Sequence, residues 1–310
     1  MFAKVPSLIR LPLVSILLAI NIVVHVTPLF ALTLLKLGLP IHRFRRACSN
    51  ALVAIAQSWI AVNSVLFDTF TRTRWQVSGL DALRMDANYL VLCNHQSWVD
   101  IPVLQKVFNR RIPFLRFFLK SQLIWVPLLG PAWWALDFPF MKRYSKRTLD
   151  AHPGLKGRDL AATRKACEKF REVPVSMMNF VEGTRFTSAK HAAQSSPYRH
   201  LLRPHAGGVA FVLGAMGDAL DAIVDVTIVY PVARPDMRDL IAGRARDIRV
   251  HVRELPIDDA LHGDYENDAA FRGRFQAWIN ALWRDKDRLI ECELSAVRAE
   301  LHGPSDAQSR

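Results

Sequence analysis

With 310 residues, 51% of them apolar and 22% charged, the chain has enough core-forming side chains for one large domain or two small ones, and bulk disorder is excluded. A formal charge of +13 and a pI near 10.0 require an anionic partner, either nucleic acid, phospholipid headgroups or a phosphorylated substrate. The sequence has no RNP-type aromatic motif, zinc-finger spacing or Gly-Arg repeat, so nucleic acid is not expected, and basic residues interleaved with long aliphatic runs favour a phospholipid membrane.

The first element is the stretch Leu11–Leu35, which has no Asp, Glu, Lys or Arg and is bounded by Arg10 and Lys36. It exceeds the ~7–15 apolar residues of a signal core and lacks a small-x-small cleavage site, so it reads as an uncleaved membrane anchor. Asn21, His25 and Pro28 interrupt it, marking a kink or a helix that enters the membrane without crossing it cleanly. A second uncharged run, Ala47–Phe67, places Asn50, Gln57 and Ser64 along one helical stripe, the pattern of an interfacial or domain-packed amphipathic helix. Lys36, Arg43, Arg45 and Arg46 between the two suit anionic headgroups and put that side in the cytoplasm.

Beyond Arg74, short apolar runs alternate with helical patterns. Tyr89–Cys93, Phe138–Met141, Ser176–Val181, Ala222–Val229 and Arg249–Glu254 read as strands, and Asp159–Val173, Ala206–Met216 and Asp268 to about Glu300 as helices. The expected fold is α/β: one domain with a mixed, largely buried sheet flanked by helices, preceded by N-terminal membrane-associated helices. The division is 1–70 for the anchor and interfacial helix, 71–302 for the α/β domain and 303–310 for a frayed tail.

Two motifs carry chemistry. In Asn94-His95-Gln96-Ser97-Trp98-Val99-Asp100, an imidazole that titrates near neutral pH is followed five positions on by a carboxylate able to hold its far nitrogen. This is a base and its orienting group without a serine nucleophile, and the gap is filled if the substrate brings its own hydroxyl to attack a bound acyl thioester. Ser97-x-x-Asp100 also reads as a capping box, and the two roles are compatible. In Phe180-Val181-Glu182-Gly183-Thr184-Arg185, Gly183 permits close backbone approach, while Arg185 offers a planar fork for phosphate oxygens. Cys48, Cys93, Cys167 and Cys292 are scattered, which disfavours a disulfide framework, and Cys93 reads as a buried small hydrophobe. The gaps between His191, His200 and His205 match no ligand pattern, so no metal is expected.

His95-x4-Asp100 and Glu182-Gly183-Thr184-Arg185, in this order and at this separation, resemble the glycerolipid acyltransferases of the 1-acylglycerol-3-phosphate acyltransferase family. Phe118-Leu119-Lys120, Trp125–Gly130 and Phe138–Arg143 look like the family's second motif, and Val229-Tyr230-Pro231-Val232 like its fourth. Leu136–Tyr144, Cys167–Arg171 and Leu261–Tyr265 resemble its bacterial inner-membrane YihG-type branch. The resemblance implies acyl transfer from a thioester of coenzyme A or acyl carrier protein to the sn-2 hydroxyl of a lysophospholipid acceptor, chiefly lysophosphatidic acid, without a further cofactor. It implies His95 and Asp100 as the catalytic pair, with Lys120, Arg143, Glu182, Gly183, Thr184 and Arg185 as substrate-binding residues, in an inner-membrane protein whose catalytic domain faces the cytoplasm. Another lysolipid acceptor, hydrolysis, or a non-catalytic basic membrane scaffold remain as alternatives.

Overall fold

The computed structural model describes residues 6–39, 41–141 and 174–301. Lys142, Arg143 and Tyr144, the block Cys167–Arg171, the expected helix Asp159–Val173 and the expected tail lie outside the described residues.

Two helices, α1 (Ser7–Gly38) and α2 (His42–Phe70), lead the chain and pack as an antiparallel pair. Both are long and apolar enough to cross a membrane. Their polar residues face each other: Asn21 Nδ2 donates to Asn63 Oδ1 at 2.8 Å and to the Trp59 carbonyl at 3.1 Å, and His25 Nε2 lies 3.2 Å from Ser58 Oγ. Both ends of α1 also hold the rest of the protein. Arg10 Nη1 donates to the Ala242 carbonyl at 2.8 Å near its start, and Lys36 Nζ pairs with Asp137 at 3.5 Å near its end. The expected polar stripe of α2 is not sealed on one side: Asn50 is exposed, Gln57 and Ser64 are half-buried, and Ser64 Oγ donates to the Ile60 carbonyl of its own helix at 2.9 Å, while the Gln57 main-chain carbonyl accepts from Asn109 Nδ2 at 3.1 Å. Arg43, Arg45 and Arg46, expected in a linker, stand instead in the opening turns of α2.

The remaining chain builds one α/β unit. Its strands are β1 (Arg74–Ser78), β2 (Tyr89–Cys93), β3 (Leu115–Phe117), β4 (Leu119–Lys120), β5 (Phe140–Met141), β6 (Ser176–Phe180), β7 (Ala222–Val229) and β8 (Asp247–Pro256). Six of them form a sheet in the order β1-β8-β7-β2-β6-β3, parallel throughout except where β7 meets β8. The expected strand at Phe138–Met141 is only Phe140–Met141, and it pairs with β4 in a separate two-stranded sheet. β1 and β3, which add the two edges, had too few alternating residues to be legible as strands.

The α-helices described in this unit are α3 (Asp100–Phe108), α4 (Leu129–Ala135), α5 (Ser188–Ala193), α6 (Ala206–Met216), α7 (Met237–Ile241) and α8 (Ala269–Leu301). Alternation on β2 explains the layering. Leu90 and Leu92 point into one apolar cluster, covered by α6 and the long α8, and Tyr89, Val91 and Cys93 point into a second, covered by α3. β7 is buried along its whole length yet contains Asp225. That carboxylate is paired at 2.7 Å with Lys286 Nζ, fully buried on α8, and at 2.7 Å with Arg253 of β8. Lys286 also donates to the Val226 carbonyl at 2.5 Å, so one ammonium ties the last helix to the central strand. Lys286→Met is expected to lower unfolding stability by about 3 kcal/mol, the low end for leaving a buried charge short of a partner, because Arg253 remains. Adding Asp225→Asn should restore part of the loss, read by denaturant unfolding in detergent.

Candidate active site

β2 and β6 are adjacent and parallel, with Cys93 opposite Phe180, so the segments that leave their C-terminal ends emerge side by side. This is where open α/β sheets meet ligands. Main-chain bonds continue past the strands: Val181 N donates to the Cys93 carbonyl at 3.2 Å and Phe186 N to the His95 carbonyl at 2.8 Å. On the other flank, Asn94 bonds both main-chain groups of Ile228 on β7, each at 2.9 Å. The two sequence motifs, almost ninety residues apart in the chain, are thereby laced into one surface.

His95 and Asp100 meet there, with Nδ1 2.8 Å from Oδ2. A carboxylate can only accept, so Nδ1 carries the proton and the lone pair is on Nε2. The ring lies flat on Phe180, centroids 3.9 Å apart and planes 12° from parallel, which fixes its orientation. Asp100 opens α3 and has no solvent exposure. Its Oδ2 also accepts from the amides of Gln96 at 2.6 Å and Ser97 at 2.9 Å, and Tyr230 Oη donates to Oδ1 at 2.6 Å. The expected capping box does not form: Asp100 binds amides ahead of the helix, while Ser97 Oγ accepts from Val99 N at 3.0 Å and donates to the Pro235 carbonyl.

Glu182 sits beneath the site, not within it. It is fully buried, and its two oxygens accept from the amides of His95 at 3.2 Å and Leu202 at 3.1 Å, so it positions the His95 backbone and presents no oxygen to a headgroup. Burial pushes its carboxyl up to about 8. Gly183 adopts φ +66°, and a Cβ there would stand 3.1 Å from the His205 ring, so glycine is required for the turn. Thr184 Oγ1 accepts from Lys190 Nζ at 2.6 Å, and Lys190 also binds the Arg185 carbonyl at 3.1 Å. Arg185 stacks on the exposed Trp98, its guanidinium carbon 3.8 Å from the ring centroid.

Lys120 is exposed on β4, outside the six-stranded sheet, and the contacts among the described residues do not join it to His95. Arg143 lies outside the described residues. The thiol of Cys93 is buried and burial raises it well above the ordinary range, which makes it inert, as a small hydrophobe should be. Among the described residues no three His, Cys, Asp or Glu side chains gather as a metal site.

Sequence reasoning missed Tyr230, Gln96 and Arg234. Arg234 stacks on Phe186 at 3.9 Å, and its Nε donates to Gln96 Oε1. Tyr230 lay inside a quoted motif, but nothing local to it signals a partner 130 residues earlier in the chain.

A family model described as Acyltransferase matches residues 74–233, which spans both motifs and Tyr230. The chain belongs to the acyltransferase family. Curated relatives include the probable 1-acyl-sn-glycerol-3-phosphate acyltransferase 5 of Arabidopsis thaliana, 26% identical over 262 residues, covering 80% of this chain and 64% of that protein. Lysocardiolipin acyltransferase 1 of Danio rerio is 26% identical over 266 residues, covering 81% and 64%. The 2-acyl-1-lysophosphatidylinositol acyltransferase of Saccharomyces cerevisiae is 25% identical over 251 residues, covering 67% and 62%. The chain thus spans less than two thirds of the length of these relatives. The crystal structure of the 1-acyl-sn-glycerophosphate (LPA) acyltransferase PlsC from Thermotoga maritima superposes with a TM-score of 0.55 at 14% identity, covering 91% of this acyltransferase and 97% of that chain, and shows the same fold.

The raised Glu182 carboxyl has a consequence for stability. Between the ordinary 4.5 and about 8, the native protein holds a proton on this group that the unfolded chain releases, so stability falls as pH rises through that window. Glu182→Gln removes this titration. Thermal unfolding between pH 5 and 8 should show a shallower decline in the variant than in wild type, and parallel curves would contradict the assignment.

Proposed function

We propose that this acyltransferase moves a fatty acyl group from a thioester of coenzyme A or acyl carrier protein to the sn-2 hydroxyl of lysophosphatidic acid, using no cofactor beyond the donor. The observation that carries the reading is the His95–Asp100 pair at 2.8 Å, set at the ends of parallel strands with the nucleophile position left to the substrate. In the reaction, His95 Nε2 takes the proton as the acceptor oxygen attacks the thioester carbon. The C–O bond forms, the C–S bond breaks, and the departing thiolate recovers the proton from the imidazolium. Asp100 orients the ring and offsets its transient charge, and the Arg185 fork, held open on Trp98, binds the acceptor phosphate. Lys120 and Arg143 are retained from the family resemblance as further phosphate contacts, and Gly183 and Thr184 shape the turn that carries Arg185.

Residues 1–70 serve as the membrane-binding part and 71–302 as the catalytic domain, at the cytoplasmic face of a bacterial inner membrane. Because both ends of α1 are fastened to the α/β unit, the hairpin lies along that unit with its exposed face, Leu13, Ile16, Ile20, Val23 and Leu34, toward lipid. Trp125 and Trp134, exposed near α4 (Leu129–Ala135), which packs on α1, extend the same apolar surface. A phosphodiester lysolipid is the second reading for the acceptor, favoured by the lysocardiolipin and lysophosphatidylinositol specificities in the relatives' names.

Purified protein given lysophosphatidate and labelled acyl-CoA should yield phosphatidate on thin-layer chromatography. Free fatty acid alone would mean hydrolysis, and no conversion with acyl-CoA or, in a second arm, with labelled acyl-acyl carrier protein would leave the scaffold reading. His95→Ala should lower kcat by at least about 10²-fold while circular dichroism stays unchanged, and retained turnover would sink the mechanism. Arg185→Ala should raise the acceptor KM by roughly ten- to hundredfold with the donor KM nearly constant, as expected for losing a charged hydrogen bond to phosphate.

A further inference from the structure

Tyr230 follows the last residue of β7, and its ring is buried in the apolar cluster beneath α3. The Asn94 bridge to Ile228 sets how far the end of β7 extends beside β2, and this places the Tyr230 hydroxyl 2.6 Å from Asp100 Oδ1. The two carboxylate oxygens are served differently. Oδ2 receives His95 Nδ1 and two main-chain amides, whereas among the described residues the phenol is the donor to Oδ1. The amides already anchor Asp100, so the phenol is not needed to keep the side chain in place. It decides how the carboxylate is rotated about its last bond and how much of its charge faces the imidazole.

We propose that Tyr230 is a positioning residue for the base: its hydroxyl holds Asp100 Oδ1, keeps Oδ2 aimed at His95 Nδ1, and so steadies the Nε2 lone pair toward the acceptor hydroxyl. The proposal rests on His95 being the base. Burial, and after it the Asp100 charge, raises the phenol well above its ordinary range, so it remains a donor throughout the pH range of activity. Titratable groups facing the pair from other elements are Glu182 beyond β6, which burial keeps protonated up to about 8, the buried thiol of Cys93 on β2, Arg234 beyond β7, and, deeper, Asp225 on β7 with Lys286 on α8. All of them are kept when only the hydroxyl is removed.

Tyr230→Phe deletes that oxygen and keeps the ring. Without the phenol, more of the carboxylate charge falls on the imidazole, which then holds its proton to higher pH. The acidic limb of kcat/KM should therefore move up by about half to one pH unit. At pH 7, kcat should fall roughly three- to tenfold with both KM values within about twofold, and the deficit should narrow as pH rises. In an Asp100→Asn background the same change should cost nothing further, since the hydroxyl acts through the carboxylate. This double variant buries an amide in place of an unpaired carboxylate, so the comparison stands even if the single variant fails to fold. A uniform loss at every pH, an unmoved pH profile, or additive losses in the double variant would each overturn the proposal. Retained turnover in folded His95→Ala would instead remove the base reading on which it rests.

Discussion

A carboxylate sealed from water is tolerable only if hydrogen-bond donors replace the water, and Asp100 is such a group at the heart of this site. Its donors come from the turn that carries His95, from the imidazole and from a tyrosine at the end of another strand. Satisfying the carboxylate therefore shapes the loop, sets the tautomer of His95 and couples β2 to β7. The tight 95–100 turn is folded around one oxygen atom, which is why the expected capping box gives way to a reversed arrangement.

A second buried carboxylate does comparable work one strand away. Glu182 gathers the amides of His95 and Leu202, so the backbone that bears the imidazole is held from below while Asp100 holds the ring from the side. With Phe186 N on the His95 carbonyl and Phe180 under the ring, His95 has little freedom left. Such preorganisation matters for proton transfer, where a small misplacement of the lone pair weakens the step. Polar groups that sequence motifs present as ligands thus divide into those facing outward, such as Arg185 on Trp98, and those spent internally, such as Glu182.

The N-terminal hairpin obeys the same accounting of polar groups. Asn21, His25, Ser58 and Asn63 look disruptive in an apolar helix, yet they pair with each other across the hairpin and leave the outward face of α1 apolar. α1 is fastened at both ends to the α/β unit, and Trp125 and Trp134 are exposed near α4, which packs on α1.

Local spacing determined a good deal of this protein. The apolar runs of β2, β6 and β7, the long helices at either end, the His95–Asp100 pairing and the glycine turn at 183 depend on neighbours a few residues away, and they are legible because helical and strand periods and short-range hydrogen bonds are properties of contiguous sequence. Only the tertiary structure decided that Phe140–Met141 leaves the main sheet, that Glu182 faces inward, that Asn109 reaches the Gln57 carbonyl of α2, and that Tyr230 serves Asp100. Each of these depends on which strands and helices become neighbours across 50 to 130 positions, as with Asn109 on Gln57 and Tyr230 on Asp100. Strand order and burial choose the partner of a polar side chain over such distances, and no periodicity within a segment encodes that choice.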